Sequence, residues 1–130
     1  MIYLDTSVVL AHLLAEDRHP PAWLWEQPLV SSRLLQYELW VRIHARKLAR
    51  THGELARALS SRIAFLELTP LVLERALEPF PGSLRTLDAL HFASLAFLRA
   101  RDDSVQLATY DARQRRAAGG LGIPLFELGP

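Results

Sequence analysis

Met1-Ile2-Tyr3-Leu4-Asp5-Thr6-Ser7 opens the chain with an apolar run that stops at an acid. Ile2–Leu4 reads as a short buried strand. Asp5-Thr6-Ser7 supplies residues that cap a helix, and that helix is expected from about Thr6 to Leu14. A strand feeding directly into a helix is the unit from which parallel α/β sheets are built.

The same pattern recurs down the chain. Leu29-Val30-Ser31 is a second short strand, with Ser31 or Ser32 as N-cap of a helix reaching about Arg50. Ile63–Leu68 is a third, and Thr69-Pro70 behind it pairs an N-cap with proline at the first helical position. Gln106–Thr109 is a fourth, followed by a short helix over Asp111–Ala118 that Gly119-Gly120 ends. Asp17-Arg18-His19-Pro20-Pro21 breaks the first helix, and Pro21 can start a helical turn through Trp25. Thr51-His52-Gly53-Glu54 has capping-box spacing and begins another helix. Pro79 and Pro81 end the helix begun at Pro70, and Thr86 caps a helix to Arg101. Leu125–Leu128 is expected to add a fifth strand. The pattern predicts one α/β domain over residues 1–130, a mainly parallel five-stranded sheet with helices on both faces.

Composition narrows the function classes. In 130 residues, half are hydrophobic and 22% charged, which excludes a disordered or fibrous chain. A net charge of +1 is too balanced to hold nucleic acid by bulk charge, so any such contact needs a local patch. Lys47 is the only lysine, and the remaining basic residues are arginines. Without cysteine there are no disulfides and no thiolate metal sites. Met1–Leu14 lacks a positive leader and carries Asp5 and His12, a poor signal peptide. Ala89–Leu98 is interrupted by His91 and Ser94 and is too short to span a bilayer. These features predict a soluble, cytoplasmic protein with no membrane partner.

Four carboxylates stand where a solubilising role explains little: Asp5, Glu38, Asp88 and Asp111. Asp5 and Asp111 follow strands. Glu38 lies within Leu34-Leu35-Gln36-Tyr37-Glu38-Leu39-Trp40-Val41, and Asp88 opens the apolar segment Leu87–Leu98. In a parallel sheet the ligand crevice lies beyond the carboxyl ends of the strands, where strand order reverses. Asp5 and Asp111 belong to that edge, and the helices carrying Glu38 and Asp88 start there. Each acid also has a bland reading. Asp5 and Asp111 can be N-caps, Asp88 can complement a helix dipole, and Glu38 can pair with Arg42 one turn on. Capping does not account for all strand-end acids falling on one edge. Several carboxylates in one pocket repel, and a divalent cation is the simplest remedy; with no histidine–cysteine ligand set, a hard cation such as Mg²⁺ or Mn²⁺ fits.

At these residues the chain resembles the PIN domain family, most closely the VapC-type toxin ribonucleases. Ile2-Tyr3-Leu4-Asp5-Thr6-Ser7 is similar to the family's first motif and Glu38 to its second acidic position. Arg85-Thr86-Leu87-Asp88-Ala89-Leu90-His91-Phe92-Ala93 resembles the third motif, and Thr109-Tyr110-Asp111 the fourth. The resemblance covers nearly the whole chain. It implies a magnesium- or manganese-dependent ribonuclease, Asp5 and Asp88 being the main ligands and Glu38 and Asp111 acting through water or completing a second site. It further implies products with a 5′-phosphate and a 3′-hydroxyl, a homodimer, and an antitoxin protein partner encoded alongside, as in type II toxin–antitoxin pairs.

Other residues keep two readings. Thr6, Ser7 and Thr109 either orient carboxylates and waters or serve as local caps. Arg42, Arg46 and Arg50 repeat every four residues after Glu38, and Arg113, Arg115 and Arg116 follow Asp111; both sets either hold RNA phosphates or form solvated faces. Arg85 can pair with a site acid or touch phosphate. His91 shares a helical face with Asp88 and reads as a partly buried packing histidine, while Trp23, Trp25 and Trp40 read as core or subunit contacts. The alternative function is a non-catalytic PIN-like module that binds RNA or protein through the same rim. A phosphotransferase with an aspartate nucleophile fits poorly, because Ser7 stands where its second aspartate belongs.

Overall fold

The computed structural model describes residues 1–129. Its sheet has four strands, β1 (Ile2–Leu4), β2 (Leu29–Ser32), β3 (Ile63–Leu66) and β4 (Gln106–Ala108), in the order β3-β2-β1-β4. All three pairings are parallel. Tyr3 of β1 is opposite Val30 on one side and Leu107 on the other. The chain therefore steps outward from β1 to β3 and returns to β4 across β1. Between β1 and β4 lies the reversal of strand order at which α/β sheets open a crevice.

Six helices flank the sheet: α1 (Thr6–Leu13), α2 (Leu34–Ala45), α3 (Ala49–Ser60), α4 (Pro70–Ala76), α5 (Thr86–Arg99) and α6 (Ala112–Leu121). Alternation along the strands divides the core in two. Ile2, Leu4, Leu29 and Ile63 gather with Val8 and Val9 of α1, Leu35 and Leu39 of α2, and Leu59 of α3. Tyr3, Val30 and Leu107 gather instead with Phe92 and Leu95 of α5 and Ala117 and Ala118 of α6. Helices thus cover both faces, which is why β1 and β2 are buried at every position. No helix is long and apolar enough to cross a membrane.

The expected fifth strand is a correction. Leu125–Leu128 contributes one parallel bridge, Leu125 to Leu107, made by Leu107 N–H to Pro124 O at 2.9 Å and Phe126 N–H to Leu107 O at 2.8 Å. The cause is the brevity of β4. Gln106 and Ala108 turn their backbone groups to β1, with Gln106 N–H on Met1 O and Asp5 N–H on Ala108 O. Leu107 alone faces outward, so a longer ladder has nothing to bond.

Several helix boundaries differ from the expected ones, α5 among them, which ends at Arg99 rather than Arg101. α2 stops at Ala45 rather than Arg50, because Lys47 takes a left-handed conformation (φ 57°) and the chain turns. α3 then begins at Ala49, so Thr51 lies inside it and bonds back to Leu48 O instead of forming a capping box. Arg85, not Thr86, holds the extended N-cap position of α5. α6 runs through Gly119 and Gly120 to Leu121, and Gly122, with φ 68°, closes it. Thr69 caps α4 as expected, accepting from Val72 N–H; at α2 the N-cap position is Arg33, without a side-chain cap, and Ser32 Oγ just before it accepts from Leu34 N–H. The helical turn after Pro21 spans Ala22–Glu26.

Gly119 and Gly120 differ in what a side chain would meet. A Cβ on Gly120 would lie 2.8 Å from Pro81 Cβ, whereas one on Gly119 meets nothing within 4 Å. Gly119→Ala is expected to stabilise the protein by up to ~1 kcal/mol through helix propensity, and Gly120→Ala to destabilise it by about 1–3 kcal/mol through overpacking. Urea unfolding of the two variants checks the opposite signs.

Candidate functional site

Asp5 follows β1 in extended conformation and caps α1, its Oδ2 accepting from Ser7 N–H at 3.1 Å. Thr109, just past β4, donates its hydroxyl to the same oxygen at 3.2 Å. The other oxygen, Oδ1, accepts from Gln114 Nε2 at 2.9 Å. That nitrogen also donates to Asp88 Oδ1 at 2.9 Å. Asp5, from the first strand, and Asp88, from the first turn of α5, therefore share one amide group, and their carboxylates occupy a single pocket.

Asp111 caps α6, its Oδ1 accepting from Arg113 N–H at 2.8 Å and Gln114 N–H at 3.1 Å. Its own N–H is held by Thr109 Oγ1 at 3.0 Å. Ser7 Oγ accepts from Tyr110 N–H at 3.1 Å, tying the start of α1 to the β4–α6 connection. Thr109 thus orients a carboxylate, while the Ser7 hydroxyl fastens backbone.

Glu38 does not pair with Arg42. Its Oε1 lies 2.6 Å from His91 Nε2 and accepts from Thr6 Oγ1 at 2.8 Å. His91 is 2% exposed and its Nδ1 meets the Tyr3 hydroxyl at 2.9 Å. Burial pushes the Tyr3 phenol far above its ordinary value, so it stays neutral and available as a donor to the imidazole. The packing role expected of His91 is corrected in one respect: its ring is buried, and it is also the polar partner of a site acid.

Asp5, Glu38, Asp88 and Asp111 all line one cavity of about 540 Å³, together with Thr6, Ser7, Arg42 and Arg85. Arg42 and Arg85 are exposed, and among the described residues neither forms an ion pair. The expected arginine stripe does not survive the end of α2: Arg46 is at its C-cap and Arg50 lies on α3. Arg115 and Arg116 turn back to the carbonyls of Thr109 and Ala112, and neither they nor Arg113 line the cavity. Trp25 is buried and Trp40 packs against the core, while Trp23 is half exposed beside Phe126.

Among the described residues no three His, Cys, Asp or Glu side chains stand close enough to enclose an ion. The reason is visible in the bonding: Glu38 is drawn to His91, and one oxygen of Asp111 is spent on α6. Asp5 and Asp88 remain as a near pair of hard oxygen donors with open cavity beside them. That suits a cation which binds few carboxylates and keeps its waters.

Gln114 was not singled out from sequence, although a cue existed. It lies in the basic run Ala112-Arg113-Gln114-Arg115-Arg116, yet shares the i+3, i+4 face of Ala117 and Ala118, which marks it as inward.

The sequence pattern of the PIN domain matches residues 2–120. The chain belongs to the PIN domain family. It is 34% identical over 132 aligned positions to Ribonuclease VapC46 of Mycobacterium tuberculosis (strain ATCC 25618 / H37Rv), covering 96% of this chain and 95% of that protein. It is 33% identical over 120 positions to Ribonuclease VapC47 of Mycobacterium tuberculosis (strain CDC 1551 / Oshkosh), covering 87% and 86%. In this PIN domain, then, the strand-order reversal of the sheet and the four acids identified from sequence meet at one cavity.

Burial holds the Asp88 carboxyl above its ordinary value. The Gln114 donor lowers it again in part, while Asp111 and Asp5 push it further up. An acid whose folded pKa exceeds its unfolded one favours the folded state at low pH, and that contribution is lost as pH rises through the folded value. In metal-free protein the stability of Asp88→Asn relative to wild type is therefore expected to rise as pH climbs from about 4 toward 7. Thermal unfolding across that range checks it; a difference that is flat or falls with pH contradicts the assigned direction.

Proposed function

We propose that this PIN-domain chain is a divalent-metal-dependent ribonuclease that hydrolyses RNA phosphodiester bonds, acting as the toxin of a type II toxin–antitoxin pair. The family membership and the likeness to two proteins named as ribonucleases over most of their length support the activity. The observation that carries the site assignment is the Gln114 amide shared by Asp5 and Asp88. It marks a point where two carboxylates from distant parts of the chain share one positive partner.

In this reading Asp5 and Asp88 hold Mg²⁺ or Mn²⁺. Glu38 and Asp111 act from the rim of the same cavity through water. When bound, the cation supplies a nucleophile at neutral pH and offsets charge growing on the phosphate oxygens. The chain's own residues do the rest. Thr109 and Ser7 N–H fix one oxygen of Asp5, and Gln114 holds the other beside Asp88. Thr6 and His91 hold Glu38 from two sides. Arg42 and Arg85, exposed at the cavity wall, are suited to RNA phosphates.

The partners of this reading are an RNA substrate, an antitoxin protein and a second copy of the chain. Leu73 and Leu77 of α4 stand exposed beside Leu84, Ala89 and Leu90, around an apolar cavity of about 520 Å³. A groove of that kind gives a protein partner a place to bury apolar surface.

A labelled RNA incubated with the protein and increasing Mg²⁺ tests the assignment. Cleavage is expected to require the cation and to fall by about two orders of magnitude or more in Asp5→Asn, with the folded state retained. RNA binding without cleavage at any Mg²⁺ or Mn²⁺ concentration would instead make the chain a binding module. Separately, Arg42→Ala and Arg85→Ala are each expected to weaken RNA binding and to lower the slope of log K against log salt by about 0.7, one phosphate contact on a single strand. A slope unchanged in both variants removes them from the RNA path.

A further inference from the structure

Gln114 is 1% exposed, yet only its amino group is satisfied. Its Oε1 is buried and has no hydrogen-bond partner. Leaving a buried carbonyl unpaired is costly, and a methionine or leucine of similar volume would fill the same space without that cost. Packing alone therefore does not explain the glutamine. What it provides is a nitrogen with two N–H bonds, one to Asp5 and one to Asp88, both at 2.9 Å. An amide nitrogen bridging two carboxylates does by hydrogen bonding what a divalent cation does by coordination.

We propose that Gln114 is a positioning residue that stands in for the cation in the metal-free enzyme and is displaced from the two carboxylates when the cation binds. The inference rests on the assignment of Asp5 and Asp88 as the metal-holding pair. The amide already occupies one oxygen of each carboxylate, Asp5 Oδ1 and Asp88 Oδ1. A cation held by the same two carboxylates would compete with the amide for them. The amide thus keeps the carboxylates together at low metal concentration and competes with the ion for them. It stabilises the empty site and weakens metal affinity in the same act.

Gln114→Met removes both donors at nearly constant volume, and Gln114→Glu replaces them with a third acid. Mn²⁺ affinity, measured by titration calorimetry or by the electron paramagnetic resonance of free Mn²⁺, is compared with wild type, together with thermal unfolding with and without saturating Mn²⁺. Both variants are expected to melt below wild type without metal, to bind Mn²⁺ about tenfold tighter, the equivalent of one charge-assisted hydrogen bond no longer in competition, and to regain most of the melting difference in saturating Mn²⁺. A purely structural glutamine would leave affinity unchanged and the melting gap constant. A glutamine acting as an oxygen ligand would make Gln114→Met bind more weakly. Either result overturns the proposal. Asp88→Asn serves as control: if it lowers Mn²⁺ affinity while the Gln114 variants match wild type, only the stand-in role fails. If Asp88→Asn leaves Mn²⁺ binding intact, the metal assignment fails and the inference falls with it.

Discussion

The parallel contact between β1 and β4 is the constraint on which the site depends. Three residues on each strand are in register, Ile2 with Gln106 through Leu4 with Ala108. That register brings the residue after β1 and the residues after β4 to the same height. Thr109 then reaches Asp5, Ser7 reaches the Tyr110 backbone, and Gln114, one turn into α6, reaches back to Asp5. A shift of one residue would turn Tyr3 and Leu107 to the wrong faces and break both cores. The site's geometry is therefore protected by burial of apolar side chains remote from it.

Bringing acids together on that rim carries an electrostatic cost, and the chain offsets it unevenly. Two unit charges about 6 Å apart repel by on the order of 3 kcal/mol at an effective dielectric near 20, a large share of a small domain's stability. Asp5 takes three donors, from Ser7 N–H, Thr109 and Gln114, and so remains well solvated by protein though almost fully buried. Asp88 takes the Gln114 amide and little else from side chains, and burial keeps its pKa raised. Glu38 is settled apart, against His91 and Thr6. The unevenness identifies Asp88 as the position where added positive charge would relieve the most.

Much of this was legible in the residues. Short apolar runs, each leading to a helix and two of them followed by an acid, lead directly to a parallel sheet and to the edge where Asp5, Glu38, Asp88 and Asp111 gather. What failed to show was whatever depends on backbone reach or on a neighbour distant in sequence. Leu125–Leu128 has the composition of a strand, but the number of outward-facing groups on β4 decides whether it can pair. Lys47 carries no sign that it will turn left-handed and end α2. Thr86 looks like a cap, yet the extended residue is Arg85. Gln114 and His91 are ordinary residues until α6 and α5 are placed against β1, and only then do they become the partners of Asp5, Asp88 and Glu38.

The bland and the functional accounts of the strand-end acids prove to be compatible, because a carboxylate has two oxygens. Asp5 gives Oδ2 to the helix it caps and Oδ1 to the shared pocket. Asp111 gives Oδ1 to two amides of α6, and its side chain still lines the cavity. The cap is what makes the second oxygen useful: it locks the side-chain torsion, so the remaining oxygen is aimed without further loss of rotamer entropy. A helix beginning directly behind a strand needs such a cap in any case. The fold therefore supplies, at the same residues, both the demand for an acid and the means of pointing it, and a cluster of ready-oriented carboxylates follows from placing two such junctions side by side.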